Sequence, residues 1–184
     1  GYDGAIFVFL RREKVKATLF TGGKWMRSHE PRARQLITDP LFETGNHGWA
    51  QRNLRLLSGT ALRDEIAGPQ RAYEAIRAGL AADQCLPGNG ATRVPTRIGL
   101  FRFPFGACNP ASLDAVNDAG LLAIQWDLST GDPSPTQSAR AIADDLGIEF
   151  TEQLRKGEDA VRETLGLTVD RITWLLRDPI GTEG

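Results

Sequence analysis

IGLFRFPFGACNPASLDAVNDAGLLAIQW, residues 98–126, is the stretch that decides the fold class. Residues 98–103 read as a strand. Asn109 and Pro110 then supply an N-cap and a first-turn proline for a helix that carries Leu113 and Val116 and stops at Gly120. Residues 121–126 are a nearly continuous apolar run, the pattern of a buried parallel strand. The alternation of strand and helix predicts an α/β fold with a parallel sheet or barrel.

The N-terminal side follows the same order. Residues 2–14 place Ile6, Phe9 and Leu10 at helical spacing and end in Arg11, Arg12 and Lys14, which predicts a surface helix. Residues 16–20 (KATLF) read as a short strand closed by Gly22 and Gly23. Residues 31–37 have helical character ended by Asp39-Pro40, and residues 42–44 read as the next strand. Residues 52–57 and 62–67 mix apolar and polar positions. Ala72, Ile76 and Leu80 mark a helix from about Pro69 to Ala82, with the proline in its first turn and Gly68 before it. Residues 86–96 are a Pro/Gly/Asn loop. The character changes after residue 146: residues 152–165 are heavily charged, and the apolar segment 169–176 reads as a strand or a helix turn.

The 184 residues are enough for one domain but short for a complete eight-stranded α/β barrel. With 22 basic against 23 acidic residues, a net charge of −1 and no basic block, nucleic acid is not an expected partner. Charges interrupt every apolar run well short of the roughly 20 residues that a bilayer span needs, so no transmembrane segment is expected. The chain begins at Gly1 without a charged-then-apolar leader, which leaves its compartment unassigned. Cys85 and Cys108 permit either one disulfide or two buried thiols.

In an α/β fold, functional groups gather at the C-terminal strand ends, where His47, Arg102 and Asp127 fall. ETGNHGWAQRNLRLL, residues 43–57, sets His47 four positions before Gln51, the spacing that puts two metal ligands on one side of a helical turn. Gln51 offers a neutral amide, a poorer ligand than imidazole, so the pair is either an altered metal site or none. Arg102, Phe103, Pro104, Phe105 and Gly106 follow a strand. The arginine fork there can hold a carboxylate and Gly106 lets backbone approach a ligand, although taken alone the stretch reads more simply as a strand ending in a Pro-Gly turn. WDLSTGDP, residues 126–133, places Asp127 and Asp132 at another strand end, where carboxylates either orient a cation or cap a turn.

Taken in order, ATLFTGGKWM, ETGNHGWAQRNLRLLSG and LFRFPFGACNPASLDAVNDAGLLAIQWDLSTGDPSP resemble the polysaccharide deacetylase, or NodB-homology, family of carbohydrate esterases over residues 1–146. The resemblance implies a distorted (β/α) barrel, here incomplete. It also implies a divalent metal, usually zinc, held by one aspartate and two histidines, whose bound water attacks the acetyl group of an N- or O-acetylated sugar. An aspartate serves as base and a histidine as acid. By the same resemblance, His47 matches the first histidine of the His-x-x-x-His element and Gln51 stands in place of the second. Arg102, Pro104, Phe105 and Gly106 match the Arg-Pro-Pro-Tyr-Gly element, in which the arginine steadies the base and the backbone N–H at the position of Phe105 serves the oxyanion. Asp132 matches the aspartate that tunes the catalytic histidine, with Ser129 and Pro133 departing from the pattern.

Two elements of that family are not found. The Thr-Phe-Asp-Asp or Thr-Phe-Asp-Ala strand, with the base and a metal ligand, should lie just before Gly1, and the final Leu-x-Leu-x-His strand should follow Leu146. The only histidines are His29 and His47, and His29, in SHEP, reads as a solvated turn residue. The expectation is a deacetylase-like domain over residues 1–146 and a diverged segment over residues 147–184, in which residues 147–157 weakly resemble the family's last strand and helix. Zinc binding should be weak or absent and hydrolysis impaired. The alternative is a catalytically dead domain that still binds acetylated oligo- or polysaccharide through Trp49, Trp126, Pro104 and Gly106. Members of this family are often secreted or associated with the cell envelope.

Overall fold

The structure, a computed structural model, describes residues 4–82, 94–126, 136, 138 and 172–175. Packing divides the chain into two units, Gly1–Gln125 with Ile172–Gly184, and Trp126–Arg171. Every element below belongs to the first.

The expected alternation is present. In chain order the elements are α1 (Gly4–Arg12), β1 (Ala17–Thr21), α2 (Gly23–Ser28), α3 (Glu30–Thr38), β2 (Phe42–Asn46), α4 (Gly59–Ala82), β3 (Leu100–Phe101), α5 (Pro110–Asp118), β4 (Leu122–Ala123) and β5 (Ile172–Leu175). The described strands form one parallel sheet in the order β4-β3-β2-β1-β5. Its register pairs Thr21 with Asn46 and Asn46 with Phe101, so the C-terminal ends of β1, β2 and β3 lie side by side. The 169–176 segment therefore supplies a strand, β5, against β1.

Because side chains alternate across a strand, each strand divides its residues between two faces. Ala17, Leu19 and Phe42 join Phe7, Leu10, Trp25, Met26, Leu36, Tyr73, Ile76 and Leu80 in one core beneath α1 to α4. Phe101 and Phe103, rings 5.0 Å apart edge to face, join Leu54, Leu62, Ile66, Val116 and Leu121 in a second core under α4 and α5. The opposite face carries Phe20, Gly45 and Arg102. A Cβ on Gly45 would stand 2.5 Å from Phe20 Cδ1, and Phe20 is fully buried. Gly45→Ala is accordingly expected to cost about 2 kcal/mol of stability through overpacking, read from the midpoint of urea denaturation at unchanged slope.

Four sequence expectations are corrected. First, α1 forms but buries Phe7 and Leu10, while Ile6 and Phe9 are exposed. Second, Gly22 and Gly23 do not merely close β1. Helix α2 starts at Gly23 without a side-chain cap, because loop carbonyls cap it: Gly23 N–H donates to Gly48 O (3.0 Å) and Lys24 N–H to Trp49 O (2.9 Å). Third, α4 begins at Gly59, so Pro69 is interior. Proline has no N–H to give the carbonyl four residues back, and that carbonyl, Glu65 O, is taken instead by Trp49 N–H at 2.8 Å. Fourth, residues 121–126 are not a doubly buried strand. Only Leu122–Ala123 pair, at the sheet edge, and Leu122 is 61% exposed. The helix between β3 and β4 is as read, with a capping box between Asn109 and Ser112 and a left-handed Gly120 at its end. Cys108 is a free thiol, and Cys85 lies outside the described residues.

Candidate functional site

The strand ends bring His47 and Arg102 together. His47 follows β2; its N–H donates to Thr21 O (3.1 Å) and its side chain is 3% exposed. Arg102 follows β3, its N–H donating to Asn46 O (2.9 Å). The Arg102 carbonyl lies 2.9 Å from His47 Nδ1. A carbonyl only accepts, so Nδ1 carries the proton, which leaves Nε2 as the nitrogen with a lone pair. This is the orientation in which backbone oxygens commonly hold metal-ligating histidines.

The Arg102 guanidinium reaches under the same strand ends. It donates from Nε to Ile124 O (3.3 Å) and from Nη2 to Gln125 O (3.1 Å), and lies 4.2 Å above the Phe20 ring. Burial lowers the pKa of the group from its ordinary value, since desolvation disfavours the charged form. Among the described residues no carboxylate forms an ion pair with it.

Gln51 adopts a left-handed backbone, φ 56°, and its Nε2 lies 3.5 Å from where a Cβ of Gly22 would stand. Its side chain is thus directed back over the end of β1. Phe105 is also left-handed, φ 61°, and 60% exposed, an arrangement uncommon for a bulky residue. The Phe105 N–H donates to no described residue, and Gly106 follows with φ 65°. Pro104 is buried beneath them.

Trp49 is packed away from the strand ends. Its indole lies against Gly23 and Gly68, where added Cβ atoms would stand 2.5 and 2.8 Å from Cε3, and the Arg27 guanidinium covers the ring at 4.8 Å. It also lines a cavity of about 480 Å³ with Met26, Arg71 and Ile76, on the helix side. Trp126 is 43% exposed and belongs to the second unit. Asp127, Ser129, Asp132, Pro133 and residues 147–157 lie outside the described residues. His29 is exposed between α2 and α3 and stacks on Trp25, as a turn residue should.

Zinc takes three or four nitrogen, sulfur or carboxylate donors. Among the described residues, no group of three His, Cys, Asp or Glu side chains is placed to hold a metal, and the strand ends offer one imidazole and one amide. These donors do not fit a catalytic zinc.

One residue escaped the sequence reading. Glu65 is 3% exposed in α4, three residues after Leu62 on the stripe that packs against the sheet, and its Oε1 accepts from Ala50 N–H (2.8 Å) and Arg52 N–H (3.1 Å). An acid on an apolar stripe was its signal.

The family model for polysaccharide deacetylase matches residues 1–124. The chain belongs to the polysaccharide deacetylase family. A chitooligosaccharide deacetylase of Azorhizobium caulinodans is 28% identical over 153 residues, 83% of this chain, which spans 62% of that relative's length. Among solved structures, this deacetylase-family chain superposes on a CE4 family pseudoenzyme from Bacillus anthracis with TM-score 0.61 at 22% identity, covering 77% of this chain and 44% of that one. A mutant of that pseudoenzyme with restored enzymatic activity gives TM-score 0.63 at 21% identity, over 93% and 59% of the two chains. A family 4 carbohydrate esterase from Streptomyces lividans, in complex with acetate, gives TM-score 0.63 at 19% identity, over 94% and 86%. At these identities the superpositions establish the shared fold.

Proposed function

We propose that this chain descends from a metal-dependent deacetylase of N- or O-acetylated glycans, that residues 1–146 carry the inherited domain, and that the 184-residue chain does not itself hydrolyse its glycan. The observation that carries this reading is the pair at the end of β2. His47 keeps the buried, carbonyl-oriented imidazole of a metal ligand, while Gln51, directed at the same strand ends, supplies only an amide.

Several groups at the strand ends suit a bound acetylated sugar without turnover. The Phe105 N–H, held outward by its left-handed backbone, can donate to an acetyl carbonyl. Arg102 fixes the neighbouring chain through Ile124 and Gln125 and so keeps the β3 and β4 ends in register. Phe105 exposes an aromatic ring on which a sugar can stack. The family pattern gives Asp132 the part of the aspartate that tunes the catalytic histidine. Trp49, packed between α2 and α4, is left out of the groove.

Two titrations test the reading. In calorimetry, zinc added to the chain should bind no more tightly than about 10 μM, several kcal/mol short of a structural zinc site. Chitooligosaccharide should bind with the same affinity in the presence and absence of a chelator. One tightly held zinc per chain would overturn the proposal.

A further inference from the structure

We infer that Glu65 and Pro69, both on helix α4, are positioning residues that set the conformation of loop 46–52 and with it the orientation of the His47 imidazole. The inference takes this loop as the inherited metal-ligand loop of the preceding reading.

Six residues lead from the end of β2 through Arg52, and α4 and α2 hold the Asn46 amide and the backbone from Gly48 O to Arg52 N–H, while His47 itself is bonded to Thr21 O and Arg102 O. Asn46, fully buried, donates from Nδ2 to Ile66 O (2.8 Å), while its Oδ1 accepts from Gly48 N–H (2.8 Å). Trp49 N–H fills the Glu65 carbonyl that Pro69 leaves without a helical donor, and the Glu65 carboxylate collects the amides of Ala50 and Arg52. Gly48 and Trp49 carbonyls cap α2 in return. The side-chain requirements agree with the bonding. Gly48 has φ 82°, and a Cβ on it would stand 2.9 Å from Glu65 Oε1, so only glycine fits beside that carboxylate. His47 lies between Asn46 and Gly48, and with its own N–H held by Thr21 O the backbone from which its ring projects is fixed on both sides. Its ring is therefore set from two sides: by Arg102 O at Nδ1 and by α4 through the loop.

An interior proline and a buried carboxylate each disfavour a helix that had only to pack. Both become intelligible together, because one frees a carbonyl for Trp49 N–H and the other supplies an oxygen to the Ala50 and Arg52 amides of the same four-residue run.

The test uses the full chain without metal. Amide hydrogen exchange is followed at Trp49, Ala50 and Arg52, and the tautomer of His47 is read from its imidazole ¹⁵N shifts. Glu65→Leu should cut protection at Ala50 and Arg52 by at least about tenfold and shift His47 from the single Nδ1–H tautomer to a mixture, with β1 amides unchanged. Glu65→Gln, which keeps an acceptor oxygen, should restore the His47 signature. Pro69→Ala returns a helical N–H that competes for Glu65 O, so it should lower protection at Trp49 and perturb the His47 ring while α4 stays helical. An unchanged His47 tautomer in Pro69→Ala, or in a folded Glu65→Leu, would overturn the inference. If Glu65→Leu fails to fold, Pro69→Ala alone decides. Tight zinc binding by the native chain would instead remove the preceding reading and leave the positioning role standing.

Discussion

Glu65→Ala will lower the stability of the chain by about 3 kcal/mol, because it leaves the Ala50 and Arg52 amides without their acceptor and opens a void in the packed side of α4. Each deprived amide costs about 1–3 kcal/mol if it stays buried, and partial access to water at Ala50 and Arg52, which are both exposed as residues, keeps the sum near the low end. Against a domain stability of about 5–15 kcal/mol the loss is large. Urea denaturation monitored by tryptophan fluorescence measures it directly, since Trp49 is bonded to the same helix turn. A change below about 0.5 kcal/mol, the range of ordinary surface substitutions, would contradict the bonding described here.

Gln51→His has the largest expected effect on ligand binding. It replaces an amide with a second imidazole on a side chain that already lies beside Gly22, next to the end of β1. Zinc affinity should rise by at least about tenfold, or about 1.4 kcal/mol, and the double variant His47→Ala with Gln51→His should lose the gain. The rate of hydrolysis should rise far less, because base and acid act as one unit with the metal. Equal zinc affinity in the native chain and the variant, by calorimetry, would show that position 51 does not face the metal.

Much of the architecture is readable from local chemistry. The strand, capped helix and glycine stop between residues 98 and 120 need only short-range rules, and the structure reproduces the Asn109–Ser112 capping box and the Gly120 terminus. The errors fall where long-range contacts override those rules. Gly22-Gly23 and Gly68-Pro69 read as breaks between elements. The small size of Gly23 and Gly68 instead admits the Trp49 indole, and the missing proline N–H is made good from a loop twenty residues earlier in the chain. The apolar run at 121–126 reads as buried because local composition cannot tell an edge strand from a central one. His47 and Arg102 were found by their place at strand ends, whereas the Nδ1 contact that orients His47 spans 55 residues and has no local signal. Glu65 was missed for a related reason. Its charge reads as surface until its partners, the Ala50 and Arg52 amides, are known.

The same long-range bonding fits the proposal that the fold is kept while the metal centre is altered. Loop 46–52 is held by Asn46, Glu65 and helix α4, bonds that do not involve the Gln51 side chain, so the proposed replacement of a histidine at position 51 would leave these contacts in place. The chain thereby retains the polysaccharide deacetylase architecture with one oriented imidazole and no described third ligand.

Acetate release from chitooligosaccharide and from acetylated xylan, measured with the purified 184-residue chain in excess zinc and again with chelator, tests the central claim most directly. The account predicts release indistinguishable from the protein-free reaction under both conditions. Turnover in zinc that the chelator abolishes would contradict it.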